Sequence, residues 1–160
     1  MTRCHIVAAT RGLAESIAAR ARPADIAELL DGSGATPLQA MLDGMERSPH
    51  VAVGMHGDVP VCMFGAVPFS ALSGKAAVWM IGSRELDRPS VQRDLLRISA
   101  QVVDDLQARY PALLYNFVDE RNTRAIRWLR WLGFRFAPAI PFGVKRKPFL
   151  PFYRFEVPNV

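Results

Sequence analysis

Glu85 and Asp87 follow the apolar run Ala76–Ile81 and stand among Arg84, Arg88 and Arg93, with Ser90 in the same stretch. Carboxylates just beyond a strand are either solvated loop acids or proton acceptors, and Asp87 is also placed to cap the helix that follows. Guanidinium groups at such a point can meet phosphate through charge-assisted hydrogen bonds. A second polar group, Asp119 to Asn122, follows the apolar run Leu113–Val118, and Asp119 and Asn122 can both accept backbone N–H bonds at a helix start. His5, His50 and His56 are scattered and form no ligand cluster by spacing, so no metal site is expected. Cys4 and Cys62 lie in apolar, strand-like runs that suit buried free thiols, with no disulfide framework or zinc spacing.

The elements that must hold these groups follow from periodicity. Cys4–Ala8 reads as a strand, and Thr10 caps a helix to about Arg20 with Leu13, Ile17 and Ala18 on one side. Pro23 interrupts, Asp25–Leu30 reads as a short second helix, and Thr36-Pro37 gives an N-cap and N1 proline for a helix to about Arg47. Val51–Met55 and Val59–Val67 form a hairpin around His56-Gly57-Asp58, and Ala76–Ile81 makes a third strand after the link Ser70–Lys75. The longest helical signal runs from Ser90 to Arg109, with Val91, Leu95, Ile98, Val102 and Leu106 on one face. After the strand Leu113–Val118 comes a helix with Ala125, Trp128, Leu129 and Leu132 inward, closed by Gly133 and followed by a strand at Phe134–Phe136. Arg124, Arg127 and Arg130 fall on its outer side with Trp131, either as a contact for a partner or with the tryptophan folded under the basic tail. The tail is rich in proline around Lys145-Arg146-Lys147, and Tyr153, Phe155 and Val157 alternate as a final strand would.

At 160 residues, half of them hydrophobic and 22% charged, the chain is expected to form one domain spanning residues 1–160 with its own core. The net charge of +5 comes mostly from 17 arginines against 3 lysines and reads as a solvated basic surface, without the aromatic-and-basic signature of a nucleic-acid module. No run approaches the ~18 apolar residues of a membrane span, and the N-terminus lacks the apolar core of a signal peptide. A cytoplasmic protein without membrane or nucleic-acid partners is expected.

The pattern Asn122-x-x-Ala125-(x)7-Gly133-Phe134, set between two strands, resembles the fourth-helix signature of the GNAT acetyltransferases. The likeness covers most of the chain. It implies an α/β (α+β) fold: a mixed, mostly antiparallel sheet of about six or seven strands flanked by about four helices. It also implies acetyl-CoA in a cleft between Ala76–Ile81 and Leu113–Val118, where Met80 and Ile81 would contact the cofactor, and a small-molecule or protein amine as acceptor. Glu85 would be the catalytic base. Asn122 would touch the pantetheine arm or a nearby water, with Arg88 and Ser90 meeting phosphate.

Two family features are altered. The pyrophosphate loop of the family, Arg/Gln-x-x-Gly-x-Gly/Ala, aligns with Arg88-Pro89-Ser90-Val91-Gln92, where side chains replace the small residues and proline removes a donor. The tyrosine that protonates the departing thiolate in many members is replaced by Leu129; Tyr115 and Tyr153 lie on flanking strands and read as structural. VAVGMHGDVPVCMFGA, VWMIGSRELDR and NFVDERNTRAIRWLRWLGF further resemble acetyltransferase-like proteins of phages and prophages. Two readings follow: an N-acetyltransferase, placed first because the superfamily is mostly catalytic, or a non-catalytic phage virion or assembly protein that binds partners through Arg124, Arg127, Arg130 and Trp131.

Overall fold

The computed structural model describes residues 4–156. Among these residues eight strands and five helices follow in the order β1 (Cys4–Ala8), α1 (Arg11–Ala19), α2 (Pro23–Gly32), α3 (Pro37–Arg47), β2 (Val51–His56), β3 (Val59–Pro68), β4 (Lys75–Gly82), α4 (Pro89–Arg109), β5 (Leu113–Asp119), α5 (Thr123–Trp131), β6 (Arg135–Phe136), β7 (Ile140–Phe142) and β8 (Lys147–Arg154), with a 3-10 turn at Arg84–Asp87. The sheet order is β1-β2-β3-β4-β5-β8-β6, with β7 also on β8; every pairing is antiparallel except β4 with β5.

The helix starts follow from their caps. Thr10 Oγ1 accepts from Leu13 N at 3.2 Å. Thr36 and Gln39 form a reciprocal capping box ahead of Pro37 at N1. Pro23, rather than only interrupting α1, is the first residue of α2, where its missing N–H costs nothing. α5 ends as its glycine requires: Gly133 sits at φ +90°, and Phe134 N donates back to Leu129 O at 3.0 Å.

Two apolar layers sandwich the sheet. On one face, Ala14 and Ile17 of α1 and Met41 of α3 pack on Val53, Met63 and Ile81. Trp79 lies on this face with its ring between the sheet at Gly65 and helix α3 at Gly44, where only the absence of a Cβ leaves room. On the other face, Ala76, Leu114, Val118, Leu132, Phe134 and Phe152 form a core with α5, and Val61, Leu86 and Val91 a smaller one under the start of α4.

The tail differs most from the sequence reading. Beyond the expected strand β6 it supplies β7 and β8, and β8 contains two prolines. Pro148 O accepts from Glu120 N, just past the end of β5, and Pro151 O accepts from Ala137 N, in the break between β6 and β7. Each missing N–H therefore faces a place where a ladder stops, which is how a strand tolerates proline. Phe155 lies beyond β8, and Val157, the last residue of the expected alternation, lies outside the described residues. Among the described residues no helix is long and apolar enough to cross a membrane.

Candidate active site

The sheet opens at its one parallel joint. β4 and β5 pair only at Lys75↔Leu113, Ala76↔Leu114 and Ala77↔Tyr115. Beyond that, β4 stays with β3 as far as Gly82, and β5 stays with β8 as far as Asp119. Asn116 sits in the fork: its Nδ2 donates to Val78 O at 2.6 Å, and its Oδ1 accepts from Phe117 N at 2.8 Å. One side chain thus occupies the backbone groups that would otherwise continue the ladder.

A cleft of about 1320 Å³ runs through this opening, reaching α2 and α3 on one side and α4 and α5 on the other. Its β4 wall presents backbone. Ser83 N donates to Val61 O, so Ile81, two residues earlier, spends its peptide groups on β3. Val78 O and Gly82 N face the opposite edge, where Asn116 and Asp25 Oδ2 (2.8 Å) hold them. The same alternation turns the Met80 N–H and C=O into the cleft. Of the residues expected at the cofactor, Met80, Ile81 and Asn122 line the cleft; Arg88 and Ser90 are exposed at the start of α4.

The segment after β4 is built shut. Arg22 N donates to Gly82 O and Arg84 N to Arg20 O, so the α1–α2 link extends the sheet here. Leu86 is buried in the 3-10 turn, and a Cβ on Gly82 would collide with it. Glu85 holds Arg20 with one oxygen (3.1 Å) and Arg88 with the other (3.1 Å). Asp87 does not cap α4, contrary to one of its expected roles. It pairs with Arg124 at 2.6 Å, and Arg88 is the N-cap with no side-chain bond. The first turn of α4 keeps two N–H groups without intrahelical partners, those of Ser90 and Val91: Pro89 has none, and Gln92 N already donates to Arg88 O.

The opposite side of the cleft carries a carboxylate that sequence reasoning missed. Glu28 of α2 accepts from Asp119 N (2.9 Å) and Asn122 Nδ2 (3.2 Å), both on its Oε1. Burial raises its pKa above the ordinary glutamate value; those two hydrogen bonds oppose the shift, and the neighbouring Asp25 and Asp119 add to it. Asn122 is the N-cap of α5, its Oδ1 accepting from Ala125 N at 3.3 Å. Its amide is therefore committed on both sides, to the helix and to Glu28. Behind it, Asp119 accepts from Arg121 at 2.6 Å, and that hydrogen bonding holds the Asp119 pKa below the usual range. Tyr115 and Leu129 both line the cleft, and Leu129 also packs against the core under α5. Arg130 lies over the Phe136 ring, and Trp131 is 59% exposed rather than folded under the tail.

No protein-family model matches the chain, nor does any curated protein sequence. The fold is that of the GNAT acetyltransferases. The ribosomal-protein-alanine N-acetyltransferase of Brucella melitensis aligns with a TM-score of 0.70 at 17% identity, over 94% of this chain and 99% of that one. The ribosomal-protein-S18-alanine N-acetyltransferase of Escherichia coli aligns at 0.67 and 17%, over 98% and 96%. A putative acetyltransferase from Salmonella typhimurium, solved with its cofactor acetyl-CoA, aligns at 0.65 and 15%, over 99% and 96%. At these identities the likeness is one of fold.

Proposed function

We propose that this chain is an acyl-CoA-dependent N-acyltransferase that moves an acetyl group to an amine acceptor. The observation that carries the proposal is the fork between β4 and β5: a through-cleft with an open backbone edge at Met80 on one wall and, on the other, the half-buried carboxyl of Glu28, whose pKa burial raises. The cleft offers acetyl-CoA a partner for its amide arm at Met80, and the start of α4, outside the cleft lining, offers groups for its phosphates. Its amide arm would take the Met80 peptide as an added strand does, and its phosphates would meet the Ser90 and Val91 N–H groups with the exposed Arg88 guanidinium. When bound, it supplies an acyl group activated as a thioester.

The proton chemistry belongs to Glu28. An amine acceptor is an ammonium ion at neutral pH and attacks only after losing a proton. Glu28 Oε1 is held by two donors, which leaves Oε2 to accept that proton, and its raised pKa makes it a stronger base than a solvated glutamate. Asn122 acts by orienting this carboxyl. We assign the base to Glu28 rather than Glu85 because Arg20 and Arg88 neutralise both oxygens of Glu85. The acceptor would enter from the α2–α3 side, where Asp25 and Asp43 are paired with Arg22 and Arg47 and Glu28 is the carboxyl left to meet a cationic amine.

One set of observations favours the second reading, a non-catalytic protein on the same fold. The loop before α4 is packed by Leu86 instead of open, and Leu129 stands where a thiolate-protonating tyrosine is expected. The exposed Trp131 beside Arg127 would then be the docking face, and the role on a phage particle implied by the sequence resemblance would follow. The two separate in a thiol-release assay with acetyl-CoA and a panel of amines. Turnover that collapses in Glu28→Gln and survives in Glu85→Gln supports the enzyme; absence of turnover with every acceptor, at millimolar acetyl-CoA, would leave the binding protein.

A further inference from the structure

We propose that Cys4, His56 and Asp94 form a zinc site, with three protein ligands and a fourth position open to water. The three come from three elements. Cys4 begins β1 and lies directly across the antiparallel ladder from His56, the last residue of β2, so the two side chains leave the sheet on the same face. Asp94 comes from the second turn of α4, which packs against β1. One ligand atom from each residue, the thiol sulfur, an imidazole nitrogen and a carboxylate oxygen, lies within 4.8 Å of the other two.

The dimensions suit an ion. Zinc bonds of about 2.0–2.3 Å in a tetrahedron hold ligand atoms roughly 3.3–3.6 Å apart. His56 Nε2 and Asp94 Oδ2 are already 3.8 Å apart. Closing the sulfur onto them requires a movement of about 1 Å, within the reach of side-chain rotation.

The donor set selects the metal. A thiolate with an imidazole and a carboxylate suits zinc, and does not suit calcium or magnesium, which take oxygen ligands. An ordinary His–Asp ion pair accounts for two of the three groups and leaves the thiol beside them unexplained. Both thiols are buried, Cys4 at 8% exposure and Cys62 at 1%, but Cys62 packs among Val61, Leu86 and Val91, whereas Cys4 faces His56 and Asp94. The ion would tie β1, an edge strand among the described residues, to the helix that crosses it. This inference does not depend on the proposed activity.

The test uses the tag-free full chain, stripped of metal with a chelator and titrated with zinc against a chromophoric competitor, then with cobalt(II) for its absorption spectrum. Expected are one ion per chain with submicromolar affinity, a thiolate-to-cobalt charge-transfer band in the near ultraviolet, and a loss of at least about tenfold in affinity in Cys4→Ser, His56→Ala and Asp94→Asn. Cys62→Ser should keep both the affinity and the band. Absence of saturable binding, unchanged affinity in a folded Cys4→Ser, or a band lost in a folded Cys62→Ser would overturn the proposal. Should a ligand variant fail to fold by circular dichroism, the cobalt spectrum of the unsubstituted chain decides: the thiolate band supports the site, and its absence overturns it.

Discussion

Gly44→Ala should destabilise this protein, although it replaces glycine with the best helix former in the interior of α3. A Cβ at that position would lie 2.5, 2.7 and 2.9 Å from Trp79 Cζ2, Cε2 and Cη2, whereas carbon atoms pack at about 3.5–4.0 Å. The ring has little freedom to withdraw. Gly65 of the sheet lies against it, where an added Cβ would stand only 3.1 Å from Trp79 Cε2 and Cζ2, and Trp79 Nε1 donates to Ser48 Oγ at 3.0 Å. Helix propensity favours alanine by ~1 kcal/mol. Overpacking costs about 1–3 kcal/mol, and disturbing the Trp79–Ser48 bond removes ~1 kcal/mol more. The balance is a net loss of about 1–3 kcal/mol, or a fall in Tm of roughly 2–12 °C for a chain of this size. Urea denaturation followed by tryptophan fluorescence measures it. A midpoint equal to or above that of the unsubstituted protein would refute the packing account of Trp79.

Glu28→Gln should lower acetyl transfer by about 10²–10⁴-fold, the range for loss of a general base, while leaving the fold intact because the amide oxygen still accepts from Asp119 and Asn122. Its stability relative to the unsubstituted protein should also depend on pH. Burial raises the Glu28 pKa, so the folded state holds this proton to higher pH than the unfolded chain, and the stability due to this group falls as pH rises from the ordinary glutamate value through the folded one. Denaturation curves of the two proteins should therefore move apart in favour of Glu28→Gln across that window; parallel curves contradict it. Asp119 should behave oppositely. Its pKa is lowered by the Arg121 hydrogen bonds, so Asp119→Asn should lose stability at neutral pH, and the difference should shrink as pH drops through the folded pKa. Gly133→Ala should cost about 1–2 kcal/mol in urea denaturation, because φ +90° is unfavourable for a residue with a Cβ; an unchanged midpoint would count against that backbone geometry.

The local devices of the fold are legible in the sequence because each involves residues three to five apart. Thr10, Thr36-Pro37, Asn122 and Gly133 announce their helix ends, and the Gly57-Asp58 turn announces the β2–β3 hairpin. The tail is not, since prolines in β8 are tolerated only because β5, β6 and β7 stop beside them, which no local pattern reveals. The site divides in the same way. Asn122 stands out by type and spacing, but its partner Glu28 lies 94 residues away and reads as an ordinary polar position of a short helix. Glu85 stands out among charged neighbours, of which Arg88 occupies one oxygen, while Arg20, 65 residues away, occupies the other. Cys4, His56 and Asp94 share no spacing signature, because strand register and a crossing helix bring them together.

The central claim is that the fork between β4 and β5 holds an acyl-CoA, and calorimetric titration of the purified chain with acetyl-CoA tests it most directly. Ser90→Glu serves as the paired variant, since a carboxylate over the two free N–H groups of α4 would repel the phosphates. Micromolar, one-to-one binding that weakens at least about tenfold in Ser90→Glu is the expected result, a loss of ~1.4 kcal/mol or more. No heat at millimolar acetyl-CoA, or binding indifferent to Ser90→Glu, would contradict the account.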